Sequence, residues 1–170
     1  MSITMHSASV PIFVRMLSNI ETCLDKAEAH AAAKKFDSSV YLNSRLAPDM
    51  LVFTKQIQIA CDTVKFCVAR LAGVESPKFE DTETTLAELR ERIKATIAYV
   101  KSVPAAQIDG SEERDITLPR RDGPIVMKGE AYLKHFALPN FFFHVTTAYA
   151  LLRHNGVEIG KMDYLGAPKS

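Results

Sequence analysis

The stretch of this chain richest in groups that could do chemistry runs Pro139-Asn-Phe-Phe-Phe-His144-Val-Thr-Thr-Ala-Tyr149-Ala-Leu-Leu-Arg153-His-Asn-Gly156. Asn140 and His144 are four residues apart, which on a helix sets them about 40° from one another on one face. That spacing is the one a helix uses to present two metal ligands. The neutral amide oxygen of Asn suits hard cations better than zinc or nickel. His144, flanked by Phe143 and close to Phe141, also reads as a hydrogen-bonded core histidine, and the pattern alone favours that reading. His135 lies nine residues earlier, across Pro139, and either approaches the same region or sits on the surface. His154 is accounted for by the last carbonyls of a helix.

A second polar group interrupts an otherwise apolar segment: Gln56, Gln58, Asp62 and Thr63. Asp62 is a site candidate if it points inward. Lys55, Gln58, Asp62 and Lys65, spaced by three and four, are expected instead to form one solvated face. Gln56 lies off the centre of that face and is the better inward-facing polar residue. Cys23, Cys61 and Cys67 make an odd number without CxxC spacing, so neither a disulfide framework nor a zinc knuckle is expected. They read as buried small hydrophobes in a reducing cytosol. Phosphate loops, GxSxG, HExxH and GxGxxG are absent from the sequence.

These residues need elements to position them. A long amphipathic helix is predicted from about Ser9 to Lys35, with Ser9 as cap, Pro11 in the first turn and Phe13, Leu17, Ile20, Leu24 and Ala27 as its stripe. Pro48 marks the start of a second helix that ends near Leu71 before Gly73. Two apolar lines on it predict burial over much of its circumference. Thr85 and Glu88 match a capping box for a third helix from Leu86 to about Val103, with Glu91, Arg92 and Lys94 on its solvated face. Residues 105–113 read as a loop. Asp115–Leu118 and Pro124–Met127 around Asp122-Gly123 predict a hairpin. A last helix spans Gly129 to Asn155, either kinked or divided at Pro139. Residues 157–170 look irregular.

Together these elements predict an all-α, antiparallel four-helix bundle with a small β-hairpin insertion between helices 3 and 4, in one domain spanning residues 1–170. Composition agrees: 47% hydrophobic and 24% charged residues exclude collagen, disorder and a disulfide scaffold. A net charge of +1 argues against nucleic acid as a partner, and Arg120-Arg121 is too small a basic pair to bind it. No apolar run approaches the length of a membrane span, and Met1 to His6 carries no basic stretch. A cytoplasmic protein is expected.

Several blocks, taken together, resemble a known group: Arg45-Leu-Ala-Pro-Asp-Met50, Ala69-Arg-Leu-Ala-Gly73, Phe79-Glu-Asp-Thr-Glu83, Phe136-Ala-Leu-Pro-Asn-Phe-Phe-Phe-His-Val-Thr-Thr-Ala-Tyr149, Leu152-Arg-His-Asn-Gly156 and Ile159-Gly-Lys161. Over nearly the whole chain they are similar to an uncharacterised, mostly bacterial family within the DinB/YfiT-like superfamily. The resemblance implies a four-helix bundle that is often a homodimer. It also implies kinship with proteins that bind a divalent metal through three histidines, one on the second helix and two at HxxxH on the last. Some of those are thiol-dependent transferases or isomerases using glutathione-like cosubstrates.

Carried onto this sequence, the resemblance puts His144 at the last histidine, because Arg153 and Gly156 follow it at the expected distances. Asn140 stands at the other HxxxH position. The second helix has no histidine, and residues 56–59 fall near the place of one. One of three ligands survives, which removes most of the affinity for zinc or nickel. The expectation is therefore a degenerate metal site, with no metal favoured over zinc or nickel. Gln56 or Gln58 would join Asn140 and His144 in a hydrogen-bonded network, and His135 is a further pocket candidate. The protein would be a small-molecule-binding or stress-related module. The alternative is a divalent-metal-assisted, thiol-dependent transferase with His144 as ligand or base, and His135 or Asp62 completing the set. A third reading is an interaction protein that works by dimerising, since Phe141, Phe142 and Phe143 cannot all face one core. Tyr132, Tyr149 and Arg153 are candidate pocket or buttress residues, and packing is the better reading for Tyr149.

Overall fold

The computed structural model describes residues 3–166. The first helix, α1 (Val10–Lys34), opens with Pro11 in its first turn, where a missing N–H leaves nothing unpaired. Its Phe13, Leu17, Ile20, Leu24, Ala27 and Ala31 are all buried. A 3-10 turn (Ser38–Tyr41) follows, started by the Asp37 carboxylate, which accepts from the Ser39 N–H at 2.8 Å. Next comes α2 (Phe53–Ala72), stopped at Gly73, whose φ of 71° suits glycine. The expected capping box is present on α3 (Leu86–Ser102): Glu88 N–H donates to Thr85 Oγ1 and the Glu88 carboxylate accepts back from Thr85 N–H. The helix α2 packs on both α3 and α6 (Leu138–His154), and α1 packs on α3 and α6. Phe13 and Phe141 meet edge to face across this core, with centroids 5.0 Å apart. The protein is mostly helical, with one core shared by the four long helices.

Between α3 and α6 lie a short turn, α4 (Ala105–Ile108), and an antiparallel hairpin of β1 (Asp115–Leu118) and β2 (Ile125–Lys128). The hairpin register pairs Asp115 with Lys128 and Leu118 with Ile125. Ile116 and Leu118 turn inward while their neighbours face water, the alternation of a half-buried strand. After β2 the chain enters α5 (Gly129–Tyr132) at a point of close approach. A Cβ on Gly129 would fall 2.0 Å from the Ser111 carbonyl oxygen.

Helical backbone runs unbroken from α5 through a π-helical segment (Leu133–Ala137) into α6. Pro139 therefore neither ends nor divides this helix. Proline removes one N–H and its ring crowds the carbonyl four residues back, and the wider π turn beside it relieves both demands. The final element, α7 (Lys161–Leu165), docks on α1. Asn19 Nδ2 donates to the Tyr164 carbonyl at 2.8 Å, and Lys26 pairs with Asp163 at 2.6 Å. The segment expected to be irregular thus contains a short docked helix; residues 167–170, like the first two, lie outside the described residues.

Three local expectations are corrected. Ser9 does not cap α1; its buried hydroxyl donates backward to the Met5 carbonyl at 2.6 Å, closing the turn that precedes the helix. The second helix begins at Phe53, not at Pro48, because Met50 N–H closes a turn on Ala47 and Phe53 N–H reaches back to Ser44. Residues 105–108 form a helical turn within the expected loop. The largest correction concerns the faces taken as solvated on α2 and α3, and it belongs to the site.

Candidate polar sites on α2

Along the seam between α2 and α6, polar side chains pair across the two helices. Gln56, Thr63 and Arg70 are seven residues apart, so they return to one face of α2. Their partners run the opposite way in sequence: His144, Asn140 and Tyr132. His144 Nδ1 and Gln56 Oε1 are 2.7 Å apart, Asn140 Nδ2 donates to Thr63 Oγ1 at 2.7 Å, and Arg70 Nη1 donates to Tyr132 Oη at 3.0 Å. The two helices are antiparallel along this seam.

The hydrogen bonds fix the proton positions. Gln56 Nε2 donates to the Leu51 carbonyl at 3.0 Å, so Oε1 is the atom turned to His144. An amide oxygen only accepts, so Nδ1 of His144 carries the proton and the lone pair lies on Nε2. Burial holds the His144 pKa below its ordinary 6.5, which keeps the ring neutral at neutral pH. Thr63 gives its single proton to the Ile59 carbonyl at 2.7 Å, so its oxygen accepts from Asn140. Burial pushes the Tyr132 phenol up to about 12, with Cys67 adding to the rise and Arg70 opposing it.

Gln56 and His144 bond each other, whereas Asn140 bonds Thr63, so the expected three-residue network is two separate pairs on one seam. Gln58 is not part of it; it is buried on another face of α2 and donates to Glu83. His135 is exposed on the π segment. Tyr149 and Arg153 serve the C-terminal segment: Tyr149 packs edge to face on Tyr164, with centroids 5.7 Å apart, and Arg153 lies 3.4 Å from the Val157 carbonyl. The three-histidine metal set does not fit these residues. The seam offers one imidazole and two neutral carboxamides; Gln56 is committed to Leu51 and His144, and Asn140 donates to Thr63. Among the described residues no group of three or more His, Cys, Asp or Glu side chains is placed to hold a metal ion. The cysteines are all buried and unpaired; burial raises Cys23 to about 11 and Cys61 to about 12, far from a reactive thiolate.

The face of α2 carrying Lys55, Gln58, Asp62 and Lys65 is not a solvated face. Arg92 on α3 is 5% exposed, and the connector of residues 75–84 covers it. Its Nη2 lies 3.0 Å from both Asp62 and Asp81, and its Nη1 bonds Glu83 at 2.8 Å and the Glu80 carbonyl at 3.1 Å. Lys65, 3% exposed, pairs with Asp62 at 3.0 Å, and Lys55 pairs with Asp81 at 2.7 Å. Phe79 packs beneath the two cations, with Lys65 Nζ 4.7 Å from its ring centre. The formal charges cancel: Lys55, Lys65 and Arg92 against Asp62, Asp81 and Glu83. Burial raises the Asp81 carboxyl, but Lys55 and Arg92 outweigh it and hold the group below its ordinary range. One sequence signal points to Arg92. It sits three residues after Leu89 and four before Thr96, both buried, so it borders the apolar stripe rather than opposing it.

A mostly helical protein with a small antiparallel hairpin and a polar α2–α6 seam is DinB-like in fold. Over 97% of this chain and 93% of that chain, it matches a crystal structure of a DinB family member protein from Shewanella denitrificans, with a TM-score of 0.92 and 47% sequence identity. Residues 5–165 match the family described as a domain of unknown function, DUF1993, and the chain belongs to that family. No curated protein matches it.

Proposed function

We propose that this chain is a small-molecule-binding module on a DinB-like four-helix bundle whose metal position holds two hydrogen-bonded pairs, Gln56 with His144 and Asn140 with Thr63. The observation that carries this reading is the pairing at the seam. Gln56 engages His144 Nδ1, and Asn140 donates its amide N–H to Thr63, so two of the three positions expected for imidazoles carry neutral amides. Neutral, hydrogen-bonded amides specify packing well and hold zinc or nickel poorly. The module works in the cytoplasm, in keeping with its buried unpaired thiols, and as a homodimer, in keeping with Phe143, which is 56% exposed on α6. Nucleic acid is not a partner for a chain with a net charge of +1.

Metal content of untagged protein, purified without chelator, tests this directly. Plasma mass spectrometry on wild type and His144→Ala should find well under about 0.1 equivalent of zinc, nickel or iron in both. About one equivalent in wild type, lost in His144→Ala, would overturn the reading and restore the metal-assisted thiol transferase.

A further inference from the structure

Gln56 and Gln58 are two residues apart, so they leave α2 in nearly opposite directions. On the Gln58 side, a cleft of about 390 Å³ lies between the 3-10 turn, the first turns of α2 and the connector. Leu42 and Val52 give it an apolar wall; Gln58, Glu83, Asp81 and Lys55 line its polar part.

Gln58 is 2% exposed. Its Nε2 donates to Glu83 Oε2 at 2.7 Å, and this fixes the carboxamide, because the flipped amide would set two acceptors against each other. Its Oε1 is then buried without a hydrogen-bond partner among the described residues. A buried amide oxygen in that state is a standing demand for a donor. The charged groups around it are already engaged. Glu83 Oε1 takes Arg92, Asp81 takes Arg92 and Lys55, and Thr54 gives its proton to the Leu42 carbonyl.

A ligand that completes this site must therefore bring an N–H or O–H. Arg92 balances the Asp81 and Glu83 carboxylates, but its side chain is buried, 2% exposed, and lies outside the lining. An entering group therefore meets Asp81, Glu83 and one ammonium, which favours a positively charged donor over an anion. The apolar wall asks for a short carbon body. We propose that this cleft binds a small primary ammonium compound. Its N–H donates to Gln58 Oε1, its charge faces Asp81 and Glu83, and its chain lies on Leu42 and Val52. This inference rests on the small-molecule-binding reading and names the place and the ligand class.

Butylammonium, butyramide and butyrate share one carbon skeleton and differ in charge, so they are the probes. Each is titrated into isotopically labelled full chain and followed by amide NMR. Butylammonium should give saturable shifts at the Gln58 side-chain amide and at the backbone of Leu42, Val52 and Glu83, with butyrate giving none. Gln58→Met, which removes the acceptor at nearly constant volume, should weaken butylammonium at least about tenfold. Because Gln58→Met also removes the bond to Glu83, a second variant closes the cleft from outside. Ser39→Phe, at an exposed rim position, should block binding with the core untouched. Butyramide binding as tightly as butylammonium overturns the ammonium assignment. Butylammonium shifts that do not saturate, or that survive both variants, overturn the site. Neither of those results bears on metal content, so this inference can fail while the parent reading stands.

Discussion

Gln56 sets the tautomer of His144 and burial lowers its basicity, and that makes the pair measurable. Replacing Gln56 with Leu leaves a buried Nδ1–H without an acceptor, which costs about 1–3 kcal/mol in denaturant unfolding. Gln56→Glu supplies an anion at the same distance and should lift the His144 pKa above 6.5 by NMR titration, whereas a role confined to packing would leave it low. The wild-type pH dependence has a definite sign. The folded His144 pKa lies below the unfolded value of 6.5, so the unfolded chain binds this proton first as pH falls. Stability is unaffected by His144 well above pH 6.5 and declines from there down to the folded pKa. The stability difference between wild type and His144→Leu should therefore shift against wild type between pH 8 and pH 5.5; a constant difference would contradict a buried neutral imidazole. Much at this scale was readable before the structure, because Asn140 and His144 share a helix face by spacing alone. Which α2 residue meets each was not, since that depends on how α2 is rotated against α6.

The elements divide in the same way. Thr85 with Glu88, Gly73 and the Asp122-Gly123 turn are local signals, and the capping box, helix stop and hairpin follow from neighbours in sequence. The start of α2, the π segment and the docking of α7 depend on contacts far along the chain, such as Asn19 with Tyr164, and leave no local mark. Arg92 is the clearest case. Its α3 neighbours Glu91 and Lys94 are solvent-facing as expected, yet the connector folds over Arg92 and turns a charged residue into a clasp. Buried ion pairs contribute little net stability, but removing one partner leaves the others unpaired. Arg92→Leu leaves Glu83 without its cation and should cost about 3 kcal/mol, the low end for a broken buried pair, because Asp81 keeps Lys55 and Asp62 keeps Lys65. Its effect should be local as well. Hydrogen exchange and limited proteolysis should rise across residues 75–84 and stay unchanged along the α2–α6 seam. Equal loosening of both would mean that Arg92 supports the whole core rather than the connector.

At the scale of the whole molecule, the three consecutive phenylalanines of α6 sort by helical geometry. Phe141 is fully buried against Phe13, Phe142 is partly buried, and Phe143 is 56% exposed. A large aromatic ring held in water, edge-on to His144 with centroids 5.2 Å apart, is the kind of residue that anchors an interface. A standard interface covers about 800 Å² on each partner, less than a tenth of the 9374 Å² this chain exposes. The nearly balanced charge, +1 over the chain, puts no long-range repulsion in the way. Sedimentation of dilute wild type should give a dimer, and Phe143→Asp should give a monomer with unchanged helical content, since the ring contributes little to the core. The coupling then runs back to the residue scale. His144 sits directly behind Phe143, so a dimer that covers this face also further excludes water from the imidazole. The His144 pKa should fall further as protein concentration drives association, and Phe143→Asp should abolish that concentration dependence. Wild type that sediments as a monomer at all concentrations would remove the dimer and this coupling together.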